Sequence, residues 1–180
     1  MRAGWLRSRQ TAATIGTPPI IRVMTMLSFE DFKLGHLGRF GPRRVTREEI
    51  LAFAADFDPQ PMHLDEEAAS RSMLKGLSGS GWHLCSIIMR MMFDGFIGRT
   101  ASLGSPGVNE LRWLAPLRPG DEVTLDIEVT EVRVSRSRPT TGIVTFKAVA
   151  SNAAGQALCE MVSPIIVQRR DDIALGQAGR

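Results

Sequence analysis

The feature that most constrains the fold is one apolar segment in the middle of the chain, residues 82–97. Its apolar side chains occupy nearly the whole circumference of a helix. Its polar residues recur at steps of three and four as one narrow stripe: His83, Ser86, Arg90 and Asp94. A helix with this pattern is predicted to be buried. It is 16 residues long and contains an Arg and an Asp, so it is a poor membrane span and a good core helix.

The segments after this helix are typical of β-strands. Val123 to Val129 alternate apolar and polar side chains, which is the clearest strand pattern in the chain. Three further strands are predicted at residues 108–114, 141–151 and 156–168. Pro164 is predicted to lie at an edge or a bulge because it has no N–H to donate. No alternation of helix and strand follows the central helix, so an antiparallel sheet that covers it with one face is predicted. The fold class is therefore α+β.

Two shorter helices are predicted before the central one. Thr46-Arg47-Glu48-Glu49 is a capping box, which indicates a helix that starts at Arg47. Asp65 is predicted to cap a second short helix over residues 66–71.

A proline-rich stretch, residues 57–65, joins these two helices. Proline lacks a donor and pushes the preceding residue out of the α region, so the stretch is predicted to be a stiff, exposed, non-helical loop. In a straight strand, Asp58 and His63 would point to opposite faces. They can serve one site only if the loop bends around its prolines, and the sequence analysis predicts this bend.

The length of 180 residues suits one domain, which we expect over residues 28–169. Residues 1–29 contain no acidic side chain, which is typical of a transit peptide and equally of an upstream start read ahead of Met24 or Met26. The second interpretation is favoured, so residues 1–27 are predicted to be a disordered or mis-started extension. Residues 170–180 are predicted to be a flexible tail. The start of the chain lacks the apolar run of a secretory signal, so a cytoplasmic location is predicted.

Composition excludes several kinds of partner. The net charge is +3 and the isoelectric point about 9.4, but much of the excess charge lies in the terminal segments. No basic face with interleaved aromatic residues is evident, so no nucleic-acid partner is predicted. Cys85 and Cys159 each lie in an apolar run without a C-x-x-C motif or a Cys/His cluster. They are interpreted as reduced core residues, and no metal site is predicted.

The loop and the central helix together resemble the MaoC-like acyl dehydratases, which have the hot-dog fold: an antiparallel sheet wrapped around a long central helix. The hydratase signature of that family runs Gly-Asp-x-Asn-Pro-aliphatic-His. It corresponds here to Phe57-Asp58-Pro59-Gln60-Pro61-Met62-His63. The spacing from Asp to His is kept, whereas Phe57 replaces Gly and Gln60 replaces Asn. The resemblance covers residues 28–169 and includes Ser80-Gly81-Trp82-His83 and the turn Pro116-Leu117-Arg118-Pro119-Gly120-Asp121.

The resemblance implies a hydro-lyase that reversibly adds water to a trans-2-enoyl thioester, usually an enoyl-CoA, to give the 3-hydroxyacyl thioester. By the match of the motif, Asp58 and His63 correspond to the family's catalytic Asp and His. The resemblance implies that they hold and activate the water and deliver a proton to the α-carbon. The Gly81 N–H would be the oxyanion donor. No metal or organic cofactor is implied, because hydration moves only protons. Four residues are candidates for substrate contacts: Gln60, Trp82, His83 and Met89.

Several alternatives remain open at this stage. A thioesterase on the same fold would commonly use a carboxylate on the central helix, where Asp94 is the only one. A non-catalytic acyl-binding module would accommodate the departures at Phe57 and Gln60. Asp58 and His63 also have structural interpretations, as a turn residue and a half-buried histidine. An exposed strand edge needs cover, so a homodimer or larger homo-oligomer is predicted. The acyl chain, its stereochemistry and the choice between coenzyme A and acyl carrier protein are not determined.

Overall fold

The computed structural model describes residues 26–171. It has six strands and four α-helices, with single 3₁₀ turns at Phe29–Asp31 and Ile97–Arg99. The strands are β1 (Gly35–Arg44), β2 (Ser102–Gly104), β3 (Glu110–Trp113), β4 (Glu122–Val134), β5 (Thr141–Ser151) and β6 (Ala157–Gln168). The helices are α1 (Arg47–Phe57), α2 (Pro61–Leu64), α3 (Glu66–Arg71) and α4 (Gly81–Gly95).

All strands belong to one antiparallel sheet in the order β1-β4-β5-β6-β2, with β3 also paired to β6. The predicted antiparallel sheet is thus confirmed. The alternation in β4 has the predicted cause, because Val123, Leu125 and Ile127 point into the core. Pro164 lies where the outer neighbour of β6 changes from β3 to β2, and its carbonyl accepts a hydrogen bond from Ser105 Oγ at 2.6 Å. The missing N–H of Pro164 therefore leaves no backbone hydrogen bond between strands unmade.

Helix α4 forms the centre of the domain, but it is not buried on all sides. Leu84, Ile88 and Met92 belong to the hydrophobic core together with the inner face of the sheet. The opposite face of α4 is exposed in the single chain, and three apolar side chains lie on it: Trp82, Met89 and Phe93, with 58%, 47% and 51% exposure. The prediction of a fully buried helix is therefore wrong, because the sheet covers only one side of α4.

The shorter helices begin as predicted. Thr46 Oγ1 accepts the N–H of Glu49 at 3.1 Å, and the Glu49 carboxylate accepts the N–H of Thr46 at 3.0 Å. Asp65 caps α3 by accepting the N–H of Ala68 at 2.7 Å. The prediction that residues 57–65 form a non-helical loop is only partly correct, because Pro61 begins the one-turn helix α2. Proline is tolerated at a first helical position, where no N–H is needed.

The two ends of the described chain are tied to the domain. Leu27 N–H donates to Arg99 O at 2.7 Å, and Arg170 N–H donates to Glu30 Oε2 at 3.0 Å. The rest of the predicted extension and tail, residues 1–25 and 172–180, lies outside the described residues. Within residues 26–171, no helix is both long and apolar enough to cross a membrane. The cytoplasmic location and the domain limits stay predictions.

Candidate active site

The proline-rich loop bends and brings two titratable side chains together. Asp58 ends α1, with its N–H donating to Ala54 O at 3.0 Å, and the chain then turns into α2. His63 Nε2 comes to lie 3.6 Å from Asp58 Oδ2. The predicted bend is therefore present. The predicted exposure is wrong for His63, which is only 6% exposed.

The tautomer of His63 follows from its other ring nitrogen. Nδ1 lies 2.8 Å from the carbonyl oxygen of Ser78, and a carbonyl oxygen can only accept a hydrogen bond. Nδ1 therefore carries a hydrogen. In the neutral ring, Nε2 carries a lone pair and no hydrogen, and Asp58 Oδ2 is 3.6 Å from this nitrogen.

Asp58 is held in its charged form by donors on both sides. Hydrogen bonds from the Ser80 hydroxyl and from the Gln60 amide lower the pKa of Asp58, and partial burial opposes them; His63 lowers this pKa further only when its ring is protonated. The Gln60 contact is direct, at 2.7 Å from Nε2 to Oδ1. Ser80 is also the N-cap of α4, since its Oγ accepts the N–H of Trp82 at 3.2 Å. The sequence analysis quoted Ser80 only as part of a motif and missed this role.

Asp58 and His63 open onto a cavity of about 380 Å³. Its polar lining consists of Asp58, Gln60, His63, Ser78 and Ser80. Most of the remaining wall is apolar and comes from Leu74, Leu84 and the segment 113–117. A cavity of this size, mostly apolar with a few convergent polar groups, is typical of a small-ligand site.

Gly81 begins α4 at the wall of this cavity. Its N–H has no acceptor among the described residues, as expected for the first turn of a helix. The indole of Trp113 lies across Gly81, and a Cβ there would stand 2.4 Å from Trp113 Cε2. The glycine is thus required by close packing against the indole. Trp113 also makes an edge contact with Trp82 at 5.4 Å between ring centroids, and sequence analysis did not identify it.

The four predicted substrate contacts divide into two pairs. Gln60 and Trp82 line the cavity, whereas His83 and Met89 do not. His83 is turned away because side chains two positions apart on a helix, here Gly81 and His83, do not share a face. Its ring stacks on Phe53 at 4.7 Å. Met89 lies eight positions beyond Gly81, about 12 Å along the helix axis, on the exposed face.

With this geometry described, the comparisons with known proteins identify the family. A family model described as "MaoC like domain" matches residues 35–152, a range that includes Asp58, His63 and Gly81. The chain belongs to the MaoC-like family. The predicted resemblance and the hot-dog fold are therefore confirmed, and membership supports a hydratase-like activity at the level of the family.

Three relatives document this MaoC-like assignment. The crystal structure of a MaoC-like dehydratase from Rhodospirillum rubrum is 40% identical, with a TM-score of 0.72 over 80% of this chain and 98% of that one. An (R)-specific enoyl-CoA hydratase of Rhodospirillum rubrum is 28% identical over 149 residues, 79% of this chain and 92% of the relative. The uncharacterized protein YdeM of Bacillus subtilis is 30% identical over 120 residues, 66% of this chain and 83% of the relative.

One arginine of the MaoC-like domain anchors the wall that carries Ser78 and Gly81. The guanidinium of Arg118 donates to the carbonyl oxygens of Leu74, Gly76 and Leu77, the last two at 2.7 and 3.1 Å. The backbone N–H of Arg118 donates to Asp121 Oδ2 at 2.7 Å. The turn that resembles the family motif therefore has a structural task, which is to hold the loop before α4.

The two cysteines meet beside this wall as free thiols. A hydrogen bond from Cys159 lowers the pKa of Cys85 to about 7, the Trp113 side chain acts in the same direction, and burial opposes both. The pKa of Cys159 is raised by its interaction with Cys85 and by burial. Neither residue lines the cavity.

Proposed function

We propose that this protein reversibly adds water to a trans-2-enoyl thioester, with coenzyme A as the carrier, and forms the 3-hydroxyacyl thioester. One observation carries the proposal. The carboxylate of Asp58 and Nε2 of His63, which are both acceptors when the imidazole ring is neutral, lie 3.6 Å apart beside a largely apolar cavity. The family assignment and the hydratase among the relatives support the same reaction.

Two facing acceptors suit a water molecule as the nucleophile. One water can donate a hydrogen bond to each of them, which relieves the repulsion between a carboxylate and a lone pair. Its own lone pairs are then directed away from both groups, toward the cavity. The low pKa of Asp58 keeps the carboxylate an acceptor throughout the neutral range.

The proton balance needs only these two residues. The water oxygen bonds to C3 of the enoyl group while Asp58 and His63 together take one of its protons, and the same pair returns a proton to C2. Negative charge develops on the thioester oxygen during addition. The N–H of Gly81, at the positive end of α4, is suited to donate a hydrogen bond to that oxygen and so stabilise its charge. We assign the oxyanion role to Gly81, with Gln60 and Trp82 as substrate contacts.

The test is a panel of enoyl-CoA substrates, followed by the loss of the conjugated enoyl absorbance. Asp58→Asn and His63→Ala are each expected to lower kcat/KM by about 10²- to 10⁴-fold. Asp56→Asn is the matched control, because this exposed aspartate lies two residues from Asp58, and its replacement should leave activity unchanged. Wild-type protein that bleaches no substrate, or variants as active as the wild type, would refute the proposal.

The same panel distinguishes the two alternatives. A thioesterase would release free thiol from saturated acyl-CoA, which a thiol reagent detects. Asp94, the carboxylate that this alternative needs, is exposed, pairs with Arg90 at 2.8 Å and does not line the cavity. An acyl-binding module would bind acyl-CoA without turnover, and His63→Ala would keep its affinity.

We also propose that two copies of the chain associate. The outer edge of β3 has no strand partner within residues 26–171. Near it lie exposed apolar side chains of the α4 outer face and of β3, among them Trp82 and Trp113, which are 58% and 49% exposed. A second copy paired along β3 would cover both the edge and these side chains. Light scattering should give at least twice the chain mass of 19.8 kDa, and a monomer at micromolar concentration would contradict this.

A further inference from the structure

The two cysteines form a pair of thiols that differ in their access to solvent. Cys85 and Cys159 are the only cysteines in the sequence, and both are free. Cys85 on α4 is half-buried, whereas Cys159 on β6 is 0% exposed. A small solute can therefore reach Cys85 but not Cys159.

The fold brings the two thiols together beside the indole of Trp113. Cys159 is the Cα partner of Trp113 in the antiparallel pairing of β6 with β3, and side chains that are directly opposite in such a pair lie on the same face of the sheet. The indole packs on Gly81, and Cys85 lies four positions beyond Gly81 on the same side of α4. The two thiols meet there and share a hydrogen bond.

This hydrogen bond makes the two thiols chemically unequal. The pKa of Cys85 is lowered by the hydrogen bond from Cys159 and by the Trp113 side chain, against the effect of burial, so its thiolate forms more readily than that of an ordinary cysteine. The pKa of Cys159 is raised by Cys85 and by burial, so Cys159 keeps its proton. A reachable thiolate beside a second thiol is typical of a cysteine that peroxide oxidises and of its resolving partner.

We propose that Cys85 is a site of oxidation by hydrogen peroxide, and that Cys159 resolves the product as a disulfide between α4 and β6. First, the Cys85 thiolate attacks one peroxide oxygen and the O–O bond breaks. Cys85 becomes a sulfenic acid, and the hydroxide that leaves is protonated to water. Second, the Cys159 sulfur attacks the Cys85 sulfur, the S–O bond breaks, and the leaving hydroxyl takes the Cys159 proton as water. Two thiols are oxidised, and one hydrogen peroxide is reduced to two waters.

The disulfide would also affect the wall of the cavity. A disulfide bond is about 2.05 Å long, which is shorter than any hydrogen bond between two thiols, so α4 and β6 must approach each other beside Trp113. The indole that packs on Gly81 is then displaced, and Gly81 carries the N–H assigned to the thioester oxygen. This effect on activity rests on the proposed function, whereas the oxidation of the two cysteines does not.

The test treats the reduced protein with hydrogen peroxide and maps its cysteine peptides by mass spectrometry. In the wild type, the peptides that contain Cys85 and Cys159 are expected to become joined within one chain, and dithiothreitol should separate them. In Cys159→Ala, the sulfenic acid has no partner and should be captured by dimedone, with one adduct per chain. Cys85→Ala is the matched control, in which the buried, protonated Cys159 should stay unmodified.

Three results would overturn the inference: a wild-type Cys85 that stays reduced, a Cys85 that is oxidised while Cys159 remains a thiol, or a disulfide that joins two chains. If the variants do not fold, the peptide map of the wild type decides, because it needs no substitution.

The activity of the oxidised protein tests the effect on the cavity wall. The internal disulfide is expected to lower kcat/KM for the enoyl-CoA by about 10-fold or more, with recovery in dithiothreitol, because small displacements of a positioned group are costly. Peroxide should leave the rate of Cys85→Ala unchanged. Full activity in the oxidised wild type would refute the effect on the wall. A reduced wild type without turnover would refute the proposed function, and the peptide map would still decide whether the disulfide forms.

Discussion

Gly81→Ala tests whether the indole of Trp113 is what makes a glycine necessary at the start of α4. The added Cβ would lie 2.4 Å from Trp113 Cε2 and 2.7 Å from Cδ2. Carbon atoms in ordinary contact are about 3.5–4.0 Å apart, so the indole must move by about 1 Å. Overpacking of this kind typically costs about 1–3 kcal/mol. Displacement of the indole also disturbs its edge contact with Trp82, worth about 0.5–1.5 kcal/mol.

The decisive measurement is a double-mutant cycle in urea. In the wild-type background, Gly81→Ala should lower the free energy of unfolding by about 1–3 kcal/mol, which corresponds to a melting temperature lower by about 2–4 °C per kcal/mol. In a Trp113→Ala background the clash is gone, and alanine favours a helix over glycine. The same substitution should then be neutral or stabilising by up to about 1 kcal/mol.

The control for this cycle uses the neighbouring tryptophan. Trp82→Ala removes a ring of the same size but leaves in place the Trp113 indole that a Cβ at Gly81 would meet, so the free-energy cost of Gly81→Ala should persist in that background. If Gly81→Ala lowers the free energy of unfolding equally in the wild-type and Trp113→Ala backgrounds, packing against Trp113 is refuted as the reason for the glycine.

Three further predictions follow from other contacts. Arg118→Met removes charged hydrogen bonds to three carbonyl oxygens and should lower the free energy of unfolding in urea by about 2–4 kcal/mol; an unchanged urea midpoint would contradict the anchoring role. Alkylation of Cys85 by iodoacetamide, followed by mass spectrometry, should rise with a midpoint below the ordinary thiol pKa of about 8.5, and Cys159→Ala should move the midpoint upward; a wild-type midpoint at or above that ordinary value would count against the pair. Burial lowers the pKa of His83, so the unfolded chain binds this proton more readily and stability falls as the pH drops below about 6.5. His83→Phe keeps a stacking ring and should narrow the gap between unfolding midpoints at pH 7.5 and 5.5, and an unchanged gap would exclude His83 as its source.

Much of the fold could be predicted because local patterns and packing agree. The capping box at Thr46 and the cap at Asp65 act between residues three apart, so the sequence alone contains both partners of each contact. The alternation in β4 reports which side chains are buried, whatever strand lies beside it. The Asp58 and His63 pair was predictable from spacing together with family resemblance, although the burial of His63 was not, because it depends on the neighbouring carbonyl of Ser78.

Apart from the N-cap role of Ser80, the contacts that sequence analysis missed join residues that are distant along the chain. Trp113 reaches Gly81 from an edge strand 32 positions away, and Arg118 reaches back 42 positions to Gly76. Which face of α4 stays exposed likewise depends on where the sheet ends. The sequence by itself determined three of the four α-helices, four of the six strands and the two proton-carrying side chains, because these follow from local periodicity and short-range hydrogen bonds. Only the tertiary structure decided which hydroxyls and rings surround that pair, because contacts between distant segments depend on the packing of the whole domain.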